Sequence, residues 1–138
     1  MSSDTIFEAI LKTLPEAALP DIPNRFLAPR QILIVEGFTM ISAGFQHSVQ
    51  DPASQSLYSV RLHGKPSPSS DVTSGYIHFS DRMGLKPPNW IHERKELNIW
   101  MDIRGMDHTL MQLGHPTRYM WRGEFANGHV YADLHSTL

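Results

Sequence analysis

The chain has 138 residues, 41% of them apolar and 19% charged, with a formal net charge of -2 at pH 7. That length suits a single domain, 1–138, built on one core, and the near-neutral balance argues against a nucleic-acid partner, which calls for Lys and Arg gathered on one face. With no cysteine, disulfides, thiolate nucleophiles and thiolate metal sites are excluded.

In chain order, Thr5-Ile6-Phe7-Glu8 has the spacing of a capping box, and Ile6, Phe7, Ile10, Leu11 and Leu14 recur at helical period. A short amphipathic helix over about 4–14 is predicted, ended by Pro15, with an apolar stripe that must dock on a sheet or over the open end of a barrel. Pro20, Pro23 and Pro29 keep 15–29 extended as a connector. Glu8 and Lys12 interrupt the apolar run that a secretory signal needs, and no stretch approaches the ~20 apolar residues of a bilayer span. The expectation is a soluble, cytoplasmic protein with no membrane partner.

From Arg30 the pattern turns strand-like, giving a β body over 30–138. Candidate strands are Gln31 to Phe38, Met40 to His47, Leu57 to His63, Gly75 to Ser80, Leu97 to Arg104, His108 to Leu113, Arg118 to Glu124 and His129 to His135. With no helical stripe among them, these predict a mainly β fold, a small antiparallel β-barrel or sandwich of about eight strands with the short N-terminal α-helix. Three connections are long: 48–56, 64–74 and 81–96. The second, rich in Pro and Ser, reads as a mobile loop, whereas Pro87-Pro88-Asn89-Trp90-Ile91-His92 in the third supplies apolar anchors that predict order.

The strongest local signal is Asn127-Gly128, a dipeptide suited to the two left-handed positions of a type I′ hairpin turn. Counting back from that turn pairs Phe125 with Val130, Arg122 with Asp133, Trp121 with Leu134 and Met120 with His135. Trp121, Phe125, Val130, Leu134 and Tyr119 then share one face, while Met120, Arg122, Glu124, His129, Tyr131, Asp133 and His135 share the other. A one-residue slip would set Trp121 against Asp133 and mix the two sets, so the alternation argues against it. An Arg122 and Asp133 cross-strand pair would contribute ~0.2 to 1 kcal/mol. Strand Leu97 to Arg104 divides likewise, with Leu97, Ile99, Met101 and Ile103 opposite Asn98, Trp100, Asp102 and Arg104.

Eight histidines invite a metal reading, with Asp133 and His135 on one side of a strand, but the neighbour expected there is the permanent cation Arg122. His-Glu-x-x-His is absent, since His92-Glu93 runs into Arg94-Lys95-Glu96. No Gly-x-Ser-x-Gly elbow occurs, so nucleophilic catalysis of the hydrolase kind has little support, and no glycine-rich phosphate cradle occurs, so neither metal nor cofactor is expected.

Two constellations remain. Asp133 and His135, with Arg122, Tyr131 and Glu124 alongside, suit proton transfer, because a histidine titrates near neutrality and a carboxylate orients its ring, while an arginine holds an anion. The plain alternative is a solvated strand face with a salt bridge. Tyr58, His78, Trp100, Tyr119 and Trp121 suit the lining of a small-molecule pocket, with core packing as the plain alternative. The resulting expectation is a small-molecule-binding protein, read as a cofactor-free acid-base enzyme (isomerase, cyclase or lyase) on a small organic substrate. Its alternatives are a carrier of an apolar ligand and an interaction module, in which Trp90 docks on a protein partner or a second copy as a homodimer.

Overall fold

A computed structural model describes residues 26–42, 58–68, 70–81, 85–125 and 130–138, with side chains described throughout these except at 26–29 and 125. The expected helix over 4–14, most of the connector, and the Asn127-Gly128 turn lie outside the described residues. Seven strands form one sheet: β1 Phe26–Ser42, β2 Tyr58–Pro66, β3 Ser74–Ser80, β4 Asn89–Ile91, β5 Glu96–Asp102, β6 Thr117–Phe125 and β7 Val130–Thr137, in the order β4-β5-β3-β2-β1-β6-β7. Among the described residues one α-helix, α1, spans Met106–Leu113 between β5 and β6.

Three differences from the expected layout have local causes. The first expected strand and the start of the second are one, while 43–47 and the expected connection 48–56 lie outside the described residues: β1 runs 17 residues and absorbs its irregularity as a bulge at Glu36, between Val35 and Gly37. Gly64 stands opposite, where a Cβ would run into the Ile34 carbonyl, so the bulge requires that glycine. His108 to Leu113, expected as a strand, is helical. Its stripe of Met106, Leu110 and Leu113 falls at i, i+4, i+7 and packs on the core, and a window opened at His108 cuts off its first member. Gly114 caps the helix and Pro116 keeps it from continuing. Third, β3 and β5 run parallel within an otherwise antiparallel sheet, because the chain crosses over through β4, which pairs with β5 across a 3-10 turn at His92–Arg94. Lys95 closes that turn in the left-handed region, at φ 53°.

β5 ends at Asp102, whose carboxylate accepts from the Arg104 backbone N–H at 2.8 Å and starts a second 3-10 turn. The Pro- and Ser-rich connection after β2 is stitched to β1 rather than loose. Ser67 N–H donates to the Ile32 carbonyl at 2.9 Å, Ile32 N–H donates to Ser70 Oγ at 3.0 Å, and Gln31 Oε1 accepts from the Asp71 and Val72 N–H groups.

The sheet is curled into a half-barrel. The curl is visible in one contact: a Cβ on Gly75 of β3 would strike the Met120 sulfur of β6, although β2 and β1 lie between them. Three strand spacings across a flat sheet are roughly 14 Å, so the inner face must close on itself. That face holds the core, with Leu33, Val35, Val60, Leu62, Ile77, Phe79, Leu97, Ile99, Met120 and Leu134 buried against Leu113 of α1. The division expected along β5 holds for Leu97 and Ile99, both inward, with Asn98 and Trp100 outward.

The hairpin register differs from the expected one. β6 and β7 pair Thr117 with Thr137, Met120 with Leu134, Trp121 with Asp133 and Arg122 with Ala132, the slip that the alternation argued against. An Asn-Gly turn of two residues leaves an even number between paired residues, whereas five separate Glu124 from Val130 in this ladder. The reason lies in the third strand. Leu33 of β1 faces Met120 and Ile32 faces Trp121, so β6 presents Met120 inward, and Leu134 must join it there. The core contact of Met120 outweighs the local turn preference.

Candidate functional site

Antiparallel and parallel pairing set Ser59 of β2 beside His78 of β3, and His78 beside Trp100 of β5. Strand alternation places Ser59, Tyr76, His78, Glu96, Asn98 and Trp100 together on the outer face. Four of them, Ser59, His78, Asn98 and Glu96, form a continuous hydrogen-bonded chain. Ser59 Oγ lies 3.0 Å from His78 Nδ1, His78 Nε2 lies 2.8 Å from Asn98 Oδ1, and Asn98 Nδ2 donates to Glu96 Oε2 at 2.9 Å. Because the Asn98 amide nitrogen is committed to Glu96, its oxygen faces His78 and the imidazole proton resides on Nε2. Nδ1 is then the acceptor of the Ser59 hydroxyl.

Burial lowers the His78 pKa below the usual histidine value, against the opposing pull of the Asn98 hydrogen bond and the Glu96 charge, with Lys86 adding to the depression. This favours the neutral imidazole. Its ring stacks on Tyr76, with centroids 5.5 Å apart and planes at 8°, and on Trp100, at 5.1 Å and 27°. Lys86 Nζ stands 5.7 Å from the Trp100 ring centroid, within cation-π range. Ser59 and Asn98 are buried, whereas Tyr76, His78 and Trp100 are half-buried.

On the same outer face, at the other side of β1, Tyr131, Asp133 and His135 line up along β7 beside Trp121. The Tyr131 hydroxyl donates to Asp133 Oδ2 at 2.9 Å, and burial, then the Asp133 charge and this hydrogen bond, push the phenol pKa up. Asp133 Oδ1 is buried without a hydrogen-bond donor and lies 3.8 Å from His135 Nδ1. Trp121 is fully buried, with its ring 5.4 Å from that of Tyr131.

The sequence-derived proton-transfer set is therefore divided. Tyr131, Asp133 and His135 stay together, but Arg122 faces inward, opposite Ala132, and its guanidinium donates to Glu124 on its own strand at 2.8 Å. The expected Arg122 and Asp133 pair is corrected by the register. The pocket-lining set is divided too: His78 and Trp100 are in contact, Tyr119 and Trp121 sit on the outer face of β6, and Tyr58 packs against the inner core. Ser59, Tyr76, Asn98, Glu96 and Lys86 were not anticipated. Alternation alone places each on a strand face, but strand order was needed to bring them to His78. Among the described residues no group of three or more His, Asp or Glu is arranged to hold a metal, and no helix is long and apolar enough to cross a membrane. Comparison of the chain with protein-family models, curated proteins and solved structures returned no match.

Proposed function

We propose that the protein binds a small, planar organic molecule against Tyr76, His78 and Trp100, and that His78 serves it as an acid-base group without a cofactor. The observation that carries this reading is the fixed, neutral imidazole: its tautomer is set by Asn98, its lone pair meets a hydroxyl, and its ring is one of three stacked rings. A neutral histidine is a competent base at pH 7, and an aromatic row recognises flat ligands through stacking. Lys86 over Trp100 favours a ligand that carries an anionic group. The inner face supports a carrier less well, because the core side chains and α1 occupy it.

The test is a saturation-transfer NMR screen with heteroaromatic carboxylates and matched aliphatic carboxylates. Heteroaromatic members should bind, and Trp100→Ala should weaken them at least ~10-fold, the equivalent of one good stacking contact. Equal affinity for both classes, or affinity untouched by Trp100→Ala and Tyr76→Ala, would overturn the reading.

A further inference from the structure

We propose that Ser59 is a nucleophile for acyl transfer, with His78 as its general base and Asn98 as the positioning residue, so that the site hydrolyses small activated esters. This inference rests on a substrate lying against His78. Its basis is geometric. A hydroxyl stands at 3.0 Å from the bare nitrogen of a neutral imidazole, and the other nitrogen is held at 2.8 Å by a side chain that is itself anchored, to Glu96, at 2.9 Å. Nucleophile, base and orienting group in mutual hydrogen-bond reach are the signature of an activated serine, recognised by roles rather than by motif or chain order. The absence of Gly-x-Ser-x-Gly excludes only the strand-to-helix elbow. Here the serine stands at the start of β2, paired with Ile41 of β1 on one side and with His78 of β3 on the other. The three residues come from three neighbouring strands, so the relay is rigid.

The reaction balances without a cofactor. As Ser59 Oγ bonds to the ester carbonyl carbon, its proton passes to His78 Nδ1 and the carbonyl π pair moves onto oxygen. Collapse of that tetrahedral species breaks the bond to the leaving oxygen, which takes the proton from Nδ1 and departs as an alcohol, leaving acyl-Ser59. Water then attacks the acyl carbon, gives its proton to Nδ1, and the second collapse returns that proton to Ser59 Oγ as the carboxylic acid leaves. While imidazolium exists, the Asn98 oxygen and the Glu96 charge behind it stabilise it.

The probe is p-nitrophenyl acetate with the full chain. The expected result is a burst of about one p-nitrophenolate per chain, with the acetyl group mapped to Ser59 by peptide mass spectrometry. Ser59→Ala should abolish the burst, and His78→Gln should slow acylation ~100-fold or more, the usual worth of a general base. Ser59→Cys, a second variant against misfolding, should keep a burst at the same position. Asn98→Ala should move the inflection of the acylation pH profile as well as lower the rate, which loss of packing alone would not do. Acetyl found on other residues while Ser59 stays unmodified, or a burst unchanged in Ser59→Ala, would overturn the proposal. If heteroaromatic carboxylates still bind through Trp100 in that case, the binding reading stands and only the nucleophile fails.

Discussion

The outer face carries two clusters of similar composition, and they are built differently. Around His78, the side chains of three strands converge, Ser59 from β2, His78 from β3, and Asn98 with Glu96 from β5. Around His135, the polar groups come from one strand, as Tyr131, Asp133 and His135 of β7. Facing residues on neighbouring strands have Cβ atoms about 5 Å apart, whereas alternate residues of one strand stand about 6.7 Å apart. The first spacing lets short side chains meet, and both ring nitrogens of His78 are bonded at 3.0 Å or less. The second leaves His135 at 3.8 Å from Asp133, and only the long Tyr131 side chain reaches the carboxylate. Cross-strand neighbours bring both ring nitrogens of His78 within hydrogen-bond reach, while the row along β7 leaves His135 farther from its carboxylate.

The contrast can be broken at several points. The largest effect is expected where β1 and β2 join the two regions. Gly64→Ala would drive a Cβ into the Ile34 carbonyl and break the bulge, at a cost of at least ~3 kcal/mol in urea unfolding; an unchanged midpoint would show that the bulge is dispensable. Next comes Tyr131→Phe. Asp133 Oδ1 already lacks a donor, so removing the one hydrogen bond to Oδ2 strands the carboxylate and should cost about 2 kcal/mol in the same measurement.

Asn98→Ala should cost less, about 1 kcal/mol, because His78 can move its proton to Nδ1 and donate to Ser59 instead. That switch is visible as exchanged Nδ1 and Nε2 shifts in ¹⁵N imidazole spectra, and its absence would contradict the assigned tautomer. The smallest effect concerns pH. Since the native His78 pKa lies below its unfolded value of 6.5, the unfolded chain binds the proton that the native state refuses. Stability from this group is complete above about pH 6.5 and declines as pH falls through that value toward the native one. His78→Gln should flatten the pH dependence of unfolding just below about pH 6.5, and an unaltered slope would count against burial as the cause.

The β character, the two faces of β5 and most strand positions were legible from alternation, because each is decided within a few residues. What escaped was decided at a distance. The helix α1 hides behind a window that omits Met106, and the hairpin register follows from Leu33 meeting Met120, a contact between residues far apart in the chain. For the candidate site, His78 and Trp100 stood out as residues on alternating strands. Ser59 and Asn98 are ordinary polar residues until β2, β3 and β5 are known to be neighbours, and the parallel crossover that makes them so leaves no local mark. Arg122 was misassigned for the same reason that the register was.

The meeting of Gly75 with Met120 also has a kinetic side. Its two halves lie far apart in the chain, and no strand between them can bring them together by pairing alone. The half-barrel can assume its final curvature only after β6 has been added to β1. Contacts of such long sequence separation carry a large loop-closure entropy and slow the approach to the native state. Closure of the inner face therefore depends on the residue that has no side chain: Gly75 leaves open the seat that Met120 occupies.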